Sequence, residues 1–359
     1  MKQYILVAGV DYDFKGVNFR IFCNSRVTRI INGNLAKDDL RFIIIDFPTG
    51  EVVMRNVTYP GGRKTESVSR DARHMAITKA NYNKRGSGAS AHYAFKDGQT
   101  DVMSILDVYA EVMKIGKSDP GTLHELNFFS HAYIGGPILV NSYDDGKITV
   151  NNPLTGSPVE IPIPSSLRDL DDKDPRQEKD FVPPVMSTAE LKLFREAFHK
   201  NGLVWIWGCA FPRVVHEILH KVEHHKDYRS SGVTDSQTFT FTNLRADHVA
   251  ALSSILFWAS FADPKKVELT FAEIKYFFCV ACASSYTSFM ADAANVHTFG
   301  GLMGTYSEYD SGPLPLMNVH KGFSAHLTFY QNYLGFKLDP EGRRYGEYLP
   351  GMLCDPPVP

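Results

Sequence analysis

Apolar residues recur along this chain in short blocks separated by Gly, Pro and Asp, and the spacing inside each block predicts an element. Tyr4 to Val10 and Leu40 to Phe47 are nearly unbroken apolar runs, the pattern of strands covered on both faces. VNFRIFC (17 to 23) and EVVMRNV (51 to 57) alternate or nearly so, and PTG at 48 to 50 is a turn signal, so a hairpin is expected at the sheet edge. In Asp101 to Ile115 the apolar positions 102, 105, 106, 108, 109, 112 and 113 form a helical stripe, opened by an Asp cap and closed by Gly116. Leu123 to Phe129 reads as the next strand, ending at Ser130-His131, with a sharp loop at Gly135-Gly136-Pro137.

Ser187 to Lys200 is expected as a helix, because Ser187 and Glu190 form a capping box, and Gly202 ends it. Leu203 to Trp207 is a short apolar strand, with Pro212 near the first turn of the helix that follows. Arg245 to Phe261 and Thr270 to Asn295 read as helices, the second opened by Thr270 with Glu273. Val296 to Phe299 reads as a last strand and Ala325 to Leu334 as a last helix.

This order predicts an α/β protein with three layers, a mainly parallel sheet carrying helices on both faces. The expected domain spans 1 to 311. It has insertions at about 58 to 100, poor in aliphatics, and at 144 to 186, rich in Asp and Pro and beginning with a small hairpin. Residues 312 to 359 are expected as a C-terminal extension packed on it.

With 359 residues and 43% hydrophobic content the chain can bury a large core. A formal charge of -2, with one local basic run from Arg63 to Arg85, argues against a nucleic-acid partner. The first residues turn acidic at Asp11 too soon for a secretory leader, and the longest apolar stretch, Tyr276 to Ala294, contains four Ser or Thr residues and Asp292. A buried helix is therefore expected there and no membrane span. Five cysteines, an odd number in a long chain, point to a reducing compartment: cytoplasmic, or exported without a cleavable signal peptide.

In a parallel sheet the active site lies at the carboxyl ends of the strands, where His131, Cys209 and the loop Gly300 to Asp310 are expected. Cys209 follows Gly208 and precedes a helix start, and a helix dipole together with a nearby imidazole favours a thiolate nucleophile. Most free cysteines, however, are small buried hydrophobes. A strand ending in Ser-His with glycines close behind (NFFSHAYIGG), and the next ending in Gly-Cys (VWIWGCAF), resembles the catalytic halves of caspase-like cysteine peptidases, the clan that includes clostripain and gingipain.

That resemblance implies a caspase-like fold, a protein or peptide substrate and no cofactor. It implies His131 as general base and Cys209 as nucleophile. Gly135 and Gly136 would contribute to the oxyanion site, where the backbone around Gly208 is a further candidate. Ala132 stands where the family commonly has Gly. In the glycine-rich loop after the last strand, Gly301 and Tyr306 are candidates for substrate contact, and His297 for lining the same pocket. The function expected is a cysteine-dependent hydrolase of peptide or other acyl bonds.

A rival signature lies on the next helix. His216, Glu217 and His220 spell HExxH, so the two imidazoles could hold Zn while Glu217 activates water. The third ligand would come from elsewhere, with Glu268, Glu273 and Asp235 as candidates. A third alternative is a non-catalytic interaction or effector protein on the same scaffold. Cys279 and Cys282 form a lone CxxC expected to pack in the core. Asp11 and Asp13 are expected in turn or capping roles, with cation binding as the alternative.

Overall fold

Two of the apolar runs become the first two strands, Lys2–Ala8 (β1) and Leu40–Asp46 (β2), which pair in parallel. Parallel neighbours cannot be joined by a tight turn, and the connection is helix α1, Phe19–Gly33. The strand expected over 17 to 23 is therefore overturned. Asn18 caps the helix by accepting from Arg20 N–H at 3.0 Å, and Phe19, Phe22, Cys23, Arg26 and Val27 are buried at helical spacing. A charged Arg26 on the buried face hides that period, because its guanidinium is neutralised by Glu125 and Glu341 at 2.8 and 2.6 Å.

In this computed structural model the described residues are 1–87, 92–96, 98–133, 136–141, 147–151, 158–162, 186–256 and 266–357. The other strands of the main sheet are Glu51–Thr58 (β3), Thr65–Ala72 (β4), Leu123–Phe129 (β5), Phe198–Ile206 (β6), His297–Gly300 (β7) and Gly346–Tyr348 (β8). The order across the sheet is β8-β7-β6-β5-β1-β2-β3-β4. Five central strands, β7 to β2, run parallel; β8 pairs antiparallel with β7 at one edge, and at the other β3 pairs antiparallel with both β2 and β4.

The hairpin expected at the turn after Phe47 is present as β2 and β3. Part of the stretch from 58 to 100, expected as a solvated insertion, instead extends the sheet. All eight residues of β4 are exposed, so no apolar alternation betrays the strand. Tyr82–Arg85 and His92–Phe95 pair beyond it, and Ile77, Tyr82 and Phe95 are buried. The hairpin expected after 144 is present as Lys147–Asn151 with Pro158–Pro162.

The remaining helices are α2 (Ile105–Ser118), α3 (Thr188–Ala197), α4 (Arg213–Glu223), α5 (Ala246–Ile255), α6 (Phe271–Ala283), α7 (Tyr286–Ala294) and α8 (Ser324–Leu334). Among the described residues none is long and apolar enough to cross a membrane. The capping boxes at Ser187 and Thr270 are formed as expected. Helix α2 is capped by Ser104 with Asp107 rather than by Asp101, and Gly116 lies inside it. The stretch Thr270 to Asn295 splits into two helices at Ser284, where Ser285 caps the second.

Both faces of the sheet are covered. Tyr4, Leu6 and Ala8 of β1 pack with Phe19 and Phe22 of α1, while Ile5 and Val7 pack with residues of α2, α3 and α7. Helices α4, α5, α6 and α8 gather another apolar cluster with Tyr348 of the edge strand β8. The segment after 312 thus supplies a strand and part of two clusters. Its end is tied back by a disulfide between Cys279 and Cys354. Cys279 therefore departs from the core role expected of the CxxC pair, whereas Cys282 is fully buried. The bridge also removes cysteine count as an argument for a reducing compartment.

Candidate active site at the ends of three adjacent strands

Strands β1, β5 and β6 are neighbours, and each is followed just past its carboxyl end by a polar side chain: Asp11, His131 and Cys209. In the register, Ile206 of β6 lies opposite Phe128 of β5. Cys209 and His131 each follow three residues later, so equal lengths of chain carry both to the same edge. The two connections touch: a Cβ on Gly208 would lie 2.1 Å from the Cβ of Ala132. Only glycine allows that approach, and Ala132 fills the space a glycine would have left.

Asp11 follows β1. Its Oδ2 accepts from the backbone N–H groups of Gly16 and Val17 at 2.7 and 2.9 Å, and its Oδ1 lies 3.2 Å from Nε2 of His131. Burial alone would raise the Asp11 carboxyl, but the bonds from His131, Val17 and Gly16 outweigh it and hold the group below its usual range. An ionised Asp11 makes Nε2 the protonated nitrogen of His131 and leaves Nδ1 as the basic one. Tyr12 and Phe19 set ring edges against the imidazole at centroid distances of 4.9 and 5.2 Å, which restrict its rotation. The turn role expected of Asp11 is real, and the bond to His131 is additional. Asp13 pairs with Lys15.

Cys209 is half-buried as a residue, and its sulfur accepts from Ser307 N–H at 3.3 Å. No hydrogen bond joins it to His131. Burial pushes the thiol up, and the Ser307 N–H only partly offsets this. The main chain around Cys209 is pinned from the far end of the sequence. Ser307 Oγ donates to Gly208 O at 2.7 Å, and the buried Tyr345 hydroxyl donates to Trp207 O at 2.6 Å while lying 3.0 Å from Ser307 Oγ. Sequence reasoning missed Tyr345 and Ser307, and no local signal marks either.

No family model, no curated protein and no solved structure matches this chain. The site therefore has to be judged on its own geometry.

Of the remaining candidates, Gly135 lies outside the described residues. Gly136 is buried in a short pairing of Gly136–Ile138 with His131–Tyr133. Gly301 packs on Ala210, 3.0 Å from its Cβ position. Tyr306 is 40% exposed and packs against Phe211, His320 and Phe323, beside the Ser307 that bonds Cys209. His297 is placed elsewhere: it begins β7, at the end of the sheet opposite the site, and pairs with Glu347 at 2.6 Å.

On α4 the HExxH residues divide. His216 and His220 line one cavity, but Glu217 is held by Arg245, His248 and Arg213 at 2.5, 2.8 and 2.8 Å. Its carboxyl is pulled down to about 2, with Arg245 the largest cause. A general base works best with a pKa near the operating pH, so this carboxylate is a poor one. The candidate third ligands are engaged elsewhere: Glu268 with Lys266, Asp235 with Lys275, and Glu273 in the cap of α6. Among the described residues one set of three donor groups converges, Glu217, Asp247 and His248, and there the Arg245 guanidinium bridges the two carboxylates.

Proposed function

We propose that this chain is a cysteine-dependent hydrolase of peptide or other acyl bonds, with Cys209 as nucleophile, His131 as base and Asp11 as the group that orients His131. The reading rests on one observation: three adjacent parallel strands end in these three residues, with His131 and Cys209 at matching register and Asp11 bonded to His131. The caspase-like resemblance, with His before Cys on successive strands, points the same way.

In this mechanism His131 Nδ1 takes the thiol proton as sulfur attacks the acyl carbon. The tetrahedral oxyanion collapses to a thioester, and the proton passes from His131 to the departing amine or alkoxide. Water, activated by the same nitrogen, then releases the acid and restores the thiol. Because burial holds the thiol protonated at rest, the proton moves to His131 only as an electrophile is attacked, when sulfur and imidazole draw together. Closing that gap is a demand on substrate binding, since catalytic hydrogen bonds are often loose before the complex forms.

One observation favours a second reading, a non-catalytic interaction protein on the same scaffold: the sulfur is bonded to Ser307 rather than to His131. Screening the purified protein against mixed peptide and ester substrates separates the two. Turnover abolished by Cys209→Ala and by His131→Ala, and retained in His216→Ala, supports the hydrolase. Absence of turnover, with a bound partner whose affinity is unchanged in Cys209→Ala, supports the interaction protein.

A further inference from the structure

The imidazoles of α4 lie outside the site above, yet they are held in a definite arrangement. His216 and His220 are four residues apart and so share a helical face, with ring centroids 6.1 Å apart. Both line a cavity of 310 Å³ together with Glu217, Lys221, Arg245 and His248.

The protonation pattern behind His216 follows from its partners. Glu223 Oε1 lies 2.8 Å from Nδ1 of His326, and both side chains are buried. That contact is bent, and Oε1 has no in-line hydrogen bond. The neighbouring carboxylate favours the His326 tautomer that carries its proton on Nδ1. In the neutral ring Nε2 is then an acceptor, and it lies 2.9 Å from Nδ1 of His216. In that tautomer His216 donates there, which leaves a bare lone pair on its Nε2. Metal-ligating imidazoles are set in this way, the second nitrogen donating to an outer partner that fixes the tautomer. The His220 ring, exposed, hydrogen-bonds to no described residue.

We propose that His216 and His220 chelate a transition-metal ion of the zinc, nickel or copper(II) class, backed by His326 and Glu223 and completed by water. Imidazole pairs suit these ions and not magnesium or calcium. The ion has no hydrolytic part to play, because the carboxylate beside it is committed to two arginines. Gly304, at a φ of 86°, lets the loop that carries Ser307 approach the His216 main chain, where a Cβ on the glycine would lie 3.0 Å from His216 Cα, so the metal site lies behind the segment that bonds Cys209. The inference does not depend on hydrolysis by Cys209.

Calorimetric titration of the full chain with Zn²⁺, in a Cys209→Ala background so that the thiol does not contribute, tests it. The expected result is one ion per chain, no response to Mg²⁺, and loss of binding in His216→Ala and in His220→Ala. Because His220 is exposed, its variant is the one that keeps the fold. Glu223→Gln is expected to weaken binding by about tenfold to hundredfold, as removal of an outer partner does, and His224→Ala to leave it unchanged. Absence of saturable Zn²⁺ binding overturns the proposal. So does binding that persists in His220→Ala, or binding lost in His224→Ala but kept in His216→Ala.

Discussion

Asp11 serves two purposes with one carboxylate: Oδ2 closes the turn after β1, and Oδ1 sets the tautomer of His131. Tyr345 acts at a greater remove, holding Trp207 O and so the main chain that carries Cys209. Tyr345→Phe leaves that buried carbonyl without its donor, which costs about 1 to 3 kcal/mol. Urea unfolding should show the loss, and turnover should fall with it if the loop is held by this bond. Glu217 gives a pH-dependent prediction. Its carboxyl is lowered from 4.5 to about 2, so its contribution to stability is complete above the upper value and is lost as pH falls through the lower one. Melting temperature measured from pH 6 to pH 2 should drop more steeply below 4.5 in the native chain than in Glu217→Gln, and the two profiles should converge near pH 2.

At the scale of elements, glycines mark where helices and loops approach closely. Gly116 sits inside α2, where glycine normally costs about 1 kcal/mol relative to alanine. A Cβ there would lie 1.8 Å from Leu193 O on α3, and overpacking costs about 1 to 3 kcal/mol. Gly116→Ala is therefore expected to destabilise the fold, measured as a lower urea midpoint, although helix propensity alone argues for a gain. The sequence did not reveal this helix contact, and Gly116 read as a terminator because packing partners are invisible locally. Helix α1 is hidden in the sequence for a related reason. Its period of 19, 22, 23, 26 and 27 is in the sequence, but Arg26 breaks the apolar stripe, and its two carboxylate partners are 99 and 315 residues away. Strand β4 escaped notice because it is exposed along its whole length.

For the whole molecule, the strand ends bearing His131 and Cys209 were legible because each follows an apolar run, and sequential strands commonly pair. The place of Asp11 beside them was not legible. It requires β1 to lie between β2 and β5, an order that no local pattern carries. The closure of the C-terminal segment was equally hidden, since Cys279 and Cys354 are 75 residues apart. Cross-linking a loop of that size restricts the unfolded chain, and Cys354→Ser is expected to lower stability by about 2 to 4 kcal/mol. Comparing guanidinium unfolding of this variant with that of the native chain under non-reducing conditions would measure it.

The central claim is that His131 activates Cys209. The other free thiols, Cys23 and Cys282, are fully buried, so the rate of alkylation by iodoacetamide in the folded protein reports on Cys209. The measurement that tests the claim most directly is this rate as a function of pH in the native chain, His131→Ala and Asp11→Asn. The account predicts that at neutral pH the native rate exceeds that of His131→Ala by about a hundredfold, the lower end of what a positioned base contributes, and that Asp11→Asn lies between them. Alkylation rates that are equal in the native chain and in both variants across the pH range would contradict it.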